Sequence, residues 1–101
     1  AIYWQERKRI VNLAARYRLP GIYETTDFVE DGGLMAYSEN LLEHLRRTAA
    51  YVDQILRGQD PADLPVSQPM EFDLAINMRT SKSLNLNIPE SILVLANQII
   101  E

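Results

Sequence analysis

The chain has 101 residues, 47% hydrophobic and 24% charged, and its 14 acidic against 10 basic side chains leave a net charge of -4. That is the size of one ordinary soluble domain or a piece of one, with a modest core and no room for two lobes of its own. No apolar run approaches the roughly 20 residues of a membrane span, no basic-then-apolar leader opens the chain, and without cysteine there are no disulfides, zinc-thiolate sites or thiol catalysis.

Residues 1–20 hold five basic side chains and one acid, whereas residues 21–101 hold five basic and thirteen acidic ones. The Arg7-Lys8-Arg9 run reads as the solvated face of a helix, and with no basic stripe elsewhere nucleic acid is not an expected partner. Within residues 4–18, Ile10, Leu13, Ala14 and Tyr17 recur at i, i+3, i+4 and i+7, predicting a covering helix. Leu19-Pro20 ends it, because a residue before proline leaves the helical region, and a short strand follows at about 20–24. The polar stretch from Glu24 to Gly33 reads as loop with one helical turn at Asp27–Glu30, and a second strand is predicted at about 33–37.

Ser38 is a plausible N-cap for a long helix over 38–57, whose Leu41, Leu42, Leu45, Ala49, Val52, Ile55 and Leu56 form a stripe expected to be buried on a sheet or a neighbouring subunit. Gly58 suits a left-handed cap, and Pro61 and Pro65 stiffen the connector beyond it. Residues 70–78 alternate, with Phe72, Leu74 and Ile76 on one face, as in a half-buried strand. A short helix over Thr80–Leu84 ending at a left-handed Asn85, and a terminal helix over 89–100 with Pro89 in its first turn, complete an α/β reading.

Chemistry-bearing residues are sparse. His44, the single histidine, sits mid-helix opposite the leucines and reads as solvated; Glu30-Asp31 lacks the spacing of a calcium loop and reads as a solvated turn. Gly32-Gly33 precedes a strand, the reverse of a phosphate-cradling turn, and no Ser-His-acid set can be assembled except through His44. No enzyme activity, metal or cofactor is expected. Tyr3, Trp4, Tyr17, Tyr23 and Tyr51 are assigned to packing; Tyr37 differs, ending a strand where α/β sheets meet their ligands.

The strings Leu19-Pro20-Gly21-Ile22-Tyr23, Phe28-Val29-Glu30-Asp31-Gly32-Gly33-Leu34-Met35-Ala36-Tyr37, Tyr51-Val52-Asp53-Gln54-Ile55-Leu56-Arg57-Gly58, Pro61-Ala62-Asp63-Leu64-Pro65-Val66 and Phe72-Asp73-Leu74-Ala75-Ile76-Asn77 follow one another over nearly the whole chain. In that order and spacing they closely resemble the C-terminal part of ABC-transporter substrate-binding proteins, the family that includes the binding proteins of tryptophan and tyrosine importers. The resemblance implies a fragment of a type I periplasmic-binding-protein-like fold: two α/β lobes joined by three crossovers, closing on a small solute and delivering it to a membrane ABC permease. It implies that 1–31 and 66–101 belong to one lobe and 32–65 to the other, with crossings at Gly32–Ser38 and 66–78. It also implies a periplasmic or extracytoplasmic lipoprotein, not an enzyme, whose signal segment is not in this chain.

The family usually has glycine where this chain has Ser38, and alanine and glycine at Ser81 and Asn85; Ser38 bears on the cleft, while Asn85 keeps the cap. The solute, an amino acid among the candidates, is expected where the chain changes lobes, at Gly32, Gly33, Leu34, Ala36, Tyr37 and Ser38, with the glycines allowing close backbone approach and Tyr37 stacking or hydrogen bonding. An alternative is a ligand-sensing or interaction module of the same fold with no transporter attached. Open sheet edges in such a fragment predict a homo-oligomer.

Overall fold

The computed structural model describes residues 1–68 and 71–101. It is a mixed α/β structure with a four-stranded sheet of order β1-β2-β3-β4, formed by β1 (Ile22–Tyr23), β2 (Met35–Glu39), β3 (Phe72–Asn77) and β4 (Gln98–Ile100). The β1/β2 pair is parallel, with Tyr23 opposite Ala36, and β3/β4 is parallel, with Ile76 opposite Ile99. Between them, the Asn77 amide donates to the Leu34 carbonyl at 2.8 Å and the Asn40 amide to the Glu71 carbonyl at 3.1 Å. The start of β2 therefore lies at the end of β3, and the two strands run in opposite senses.

The chain divides into two compact units, 1–38 with 73–101, and 39–72. The core of the first is small: Val29, Ala36 and Ala75 pack together, with Tyr23 and Ile100 against them. In β3 the consecutive Ala75, Ile76 and Asn77 are all buried, whereas Phe72 is exposed. This corrects the expected alternation of Phe72, Leu74 and Ile76, because a strand flanked on both edges and covered on both faces buries successive residues. Met70, the predicted first residue of this strand, lies outside the described residues.

Helical boundaries differ from the periodic pattern for identifiable reasons. The predicted helix over 4–18 is two, α1 (Ile2–Gln5) and α2 (Arg7–Arg16), and its buried residue is Val11 rather than Leu13 or Tyr17, both of which are exposed. Arg7 turns the helix toward α3 (Thr26–Glu30): its Nε lies 2.8 Å from Asp31 Oδ2, while Trp4 Nε1 donates to Asp27 Oδ2 at 2.6 Å. The two contacts draw the Arg7/Val11 side inward. None of the six aromatics expected in packing or at the site is fully buried; the buried aromatic is Phe28, on which Tyr23 stacks with centroids 4.9 Å apart.

α4 (Leu41–Leu56) starts later than predicted, capped by Asn40, whose side chain accepts from the Glu43 amide at 2.9 Å; Ser38 belongs to β2. Its apolar stripe is not buried by this chain: Leu45, Val52 and Ile55 are 54%, 50% and 39% exposed. Within 39–72 the segment after the helix, including a 3-10 turn at Pro61–Asp63, lies along the polar stripe His44, Arg47, Thr48 and Tyr51 instead. α5 is Met78–Ser83 and α6 only Glu90–Leu93, with Pro89 as its N-cap. The predicted terminal helix gives way to β4 because Asn97 is stitched to β3, its side chain accepting from the Leu74 amide and its own amide donating to the Leu74 carbonyl, both at 2.8 Å.

Four helices end the same way. After α2, α3, α4 and α5 the next-but-one residue (Arg18, Gly32, Gly58 and Asn85) has positive φ, and paired amide bonds close the last turn, such as Gly32 N to Val29 O at 3.1 Å and Gly33 N to Phe28 O at 2.8 Å. This is the left-handed C-terminal cap, in which the two residues beyond the helix satisfy its last free carbonyls.

Candidate functional site

Because β1 and β2 are parallel, their carboxyl ends open at the same edge of the sheet. The pleat turns Ala36 into the core with Val29 and Ala75 and leaves Tyr37 58% exposed. Ser38 follows, half-buried. One and two residues beyond Tyr23 in β1 come Glu24 and Thr25, level with Tyr37 and Ser38 if the register is carried forward. Thr25 N-caps α3 with an extended backbone, and its Oγ1 is buried with no hydrogen-bond partner among the described residues. Counting β3 back from the Asn77–Leu34 bond sets Asp73 opposite Ser38. Ser38, Thr25 and Asp73 thus lie level with one another where β1 and β2 end and β3 begins, while the pleat places Tyr37 on the other face.

The residues expected to form the site do not all meet there. Gly32 and Gly33 lie at the other end of β2, and Met35 to Ser38 alone is about 10 Å of strand. Each glycine already has an internal reason to be one. Gly32 is the left-handed cap of α3, and a Cβ on Gly33 would stand 2.7 Å from Tyr23 Cε2 and 2.9 Å from the Phe28 carbonyl oxygen. The close approach that Gly33 permits is to the Tyr23 ring. Leu34 is buried, and with Gly32, Gly33, Val11 and Tyr23 it borders a cavity of only about 70 Å³, further walled by Thr80, whose Oγ1 donates to the Gly32 carbonyl at 2.7 Å. Of the expected set, Tyr37 and Ser38 reach the strand ends together.

That Thr25 and Asp73 lie level with Ser38 follows only from strand pairing, which no local pattern shows. Burial raises the pKa of the Tyr23 phenol above its ordinary 10.0. Asp31, expected in a solvated turn, instead pairs with Arg7, and among the described residues no three His, Cys, Asp or Glu side chains converge. In the 39–72 unit, a second hollow of about 500 Å³ lies between α4 and the following segment, with Glu39, His44, Arg47, Tyr51 and Leu64 on its walls.

Residues 2–100 match the family model described as ABC transporter substrate binding protein. The chain belongs to that family. It is a family of substrate-binding proteins and not of enzymes. Among solved structures, a conserved domain protein from Vibrio cholerae is 27% identical with TM-score 0.85, covering 96% of this chain and 33% of its own. An ABC domain from Streptococcus pneumoniae in complex with L-Trp is 31% identical with TM-score 0.77, covering 90% of this chain and 32% of its own. A Clostridium difficile substrate binding protein with adhesive properties, in a ligand-free, open structure, shares the fold at TM-score 0.64 and 19% identity, over 97% of this chain and 32% of its own. The chain thus spans about a third of the length of these solved structures. No curated protein matches it significantly.

Proposed function

We propose that the protein carrying this chain is the extracytoplasmic solute-binding component of an ABC-type importer, taking an amino acid between two lobes and delivering it to a membrane permease. The observation that carries this reading is the family match over residues 2–100. The solute class is supported by the L-Trp held by the Streptococcus ABC domain. On this reading the units 1–38 with 73–101 and 39–72 are pieces of the two lobes, and β2 and β3 are two of the segments that join them.

From the set of Gly32, Gly33, Leu34, Ala36, Tyr37 and Ser38, the contact taken forward is Tyr37, whose ring is exposed at the strand end. An α-amino acid presents an ammonium, a carboxylate and a side chain; the exposed Tyr37 ring suits an apolar or aromatic side chain. Calorimetry on the full-length protein with a panel of amino acids tests this. Wild type should bind at least one tightly, and Tyr37→Ala should weaken it by about tenfold or more, the worth of one lost aromatic contact of about 1.4 kcal/mol. Unchanged affinity in Tyr37→Ala would remove Tyr37 from the site, and binding of no amino acid would remove the solute class.

A further inference from the structure

The polar stripe of α4 does something the apolar stripe does not: it holds on to both segments that connect the 39–72 unit to the rest of the chain. Arg47 is the centre. Its Nη2 donates to Glu39 Oε1, at the last residue of β2, and its Nη1 donates to the Gln68 carbonyl at 3.0 Å and reaches Ser67 Oγ at 3.5 Å, on the segment leading back toward β3. One guanidinium therefore bridges the outgoing and the returning chain. His44 Nδ1 lies 3.0 Å from the same Glu39 oxygen, one turn earlier on the helix. The Arg47 and Glu39 side chains are 27% and 30% exposed, so water screens the pair less than an ion pair on the open surface. Arginine suits the task because its planar fork serves two acceptors in different directions, which a lysine ammonium does less rigidly.

A backbone bond stands beside this clasp: the Asn40 amide donates to the Glu71 carbonyl at 3.1 Å, closing the β2/β3 pair at its outer end. Asn40 also caps α4, so the helix that carries Arg47 begins at the strand exit that Arg47 grips.

We propose that Arg47 is a positioning residue for solute binding: by tying Glu39 to Ser67 and Gln68, it makes the roots of the two connecting segments one rigid piece rooted on α4. Bending between the lobes is then confined to the residues nearer Tyr37, Ser38 and Asp73, next to the solute. The inference rests on the reading of β2 and β3 as lobe-joining segments, but its first readout does not require a solute.

Hydrogen exchange on the full-length protein gives that readout. In Arg47→Met, which keeps the stem and removes the fork, the Asn40 amide should exchange about tenfold faster or more, while the Asn77 amide, bonded to Leu34 in the other unit, should change by no more than about twofold. Arg47→Lys should fall between wild type and Arg47→Met. Glu39→Gln, which keeps an acceptor but removes the charge, should raise Asn40 exchange less than Arg47→Met and supplies the reading if Arg47→Met does not fold. With solute, Arg47→Met should dissociate faster without changing the order of preference among amino acids, as expected of a residue that touches no solute. Unchanged exchange at Asn40 in Arg47→Met and Glu39→Gln, or an equal rise at Asn40 and Asn77, would overturn the clasp. A wild-type protein that binds no amino acid, with the exchange pattern intact, would overturn the solute reading and leave the clasp standing.

Discussion

Gly33 and Gly58 carry the same missing side chain for different reasons, and the difference is measurable. Around Gly58, at φ +105, nothing lies within 4 Å of a built Cβ, so Gly58→Ala meets only the backbone cost of left-handed geometry, about 1 kcal/mol. At Gly33 the new methyl would strike the Tyr23 ring and the Phe28 backbone, neither of which can yield, so Gly33→Ala should cost about 2 kcal/mol or more as overpacking. Urea unfolding should rank the two variants in that order, and equal losses would mean that Tyr23 moves aside. The ring that fills this space also has a pH signature. Burial holds the Tyr23 phenol neutral to higher pH than in the unfolded chain, where it ionises near 10.0. The stability this represents is intact below that value and is lost as pH rises from it through the higher folded value, because the unfolded state releases its proton first. Tyr23→Phe should therefore flatten part of the alkaline fall in stability, as followed by urea unfolding from pH 8 to 11.

At the scale of elements, the end of the chain shows where sequence patterns stop being decisive. Residues 89–100 are apolar enough, and Pro89 placed well enough, to suggest a helix, yet the helix lasts four residues and the chain finishes as β4. The deciding group is Asn97, whose side chain and amide both bond Leu74, a partner 23 residues away that no local pattern names. Asn97→Ala should leave the Leu74 amide without this acceptor, cost about 1–2 kcal/mol, and speed exchange in 98–100 more than in α2. A uniform change across both segments would argue against a local stitch. The same contrast runs through the rest of the chain. The left-handed ends at Gly58 and Asn85 were legible because they depend on one residue's backbone freedom, as was the helical identity of 41–56 from its period. The cap at Asn40 rather than Ser38, the two-sided burial of Ala75 to Asn77, and the distance between Gly33 and Tyr37 depend on strand pairing. The place of Tyr37 at a strand end was likewise legible locally, whereas the alignment of Thr25 and Asp73 with Ser38 was not.

For the whole molecule, the unburied stripe of α4 has a direct consequence for association. Leu41, Leu42, Leu45, Val52 and Ile55 form a continuous apolar face, and β1 and β4 stand at the ends of the sheet order. Exposed faces and edges of this kind recruit other chains. As a separate 101-residue polypeptide the chain should therefore sediment as an oligomer at low micromolar concentration, and the double variant Leu45→Glu, Val52→Lys should return it toward monomer. A wild-type monomer under those conditions would show that neither the face nor the edges are sticky enough to matter. The opposed course of β2 and β3 leads to a different kind of experiment. Since the chain leaves the first unit at Ser38 and returns at Asp73 on neighbouring strands, everything from 39 to 72 is, to that unit, an insertion hung on a hairpin. A two-residue Asn-Gly turn grafted between the strands could replace it, shortening the loop that must close before β3 and β4 find β2 and turning a discontinuous domain into a continuous one.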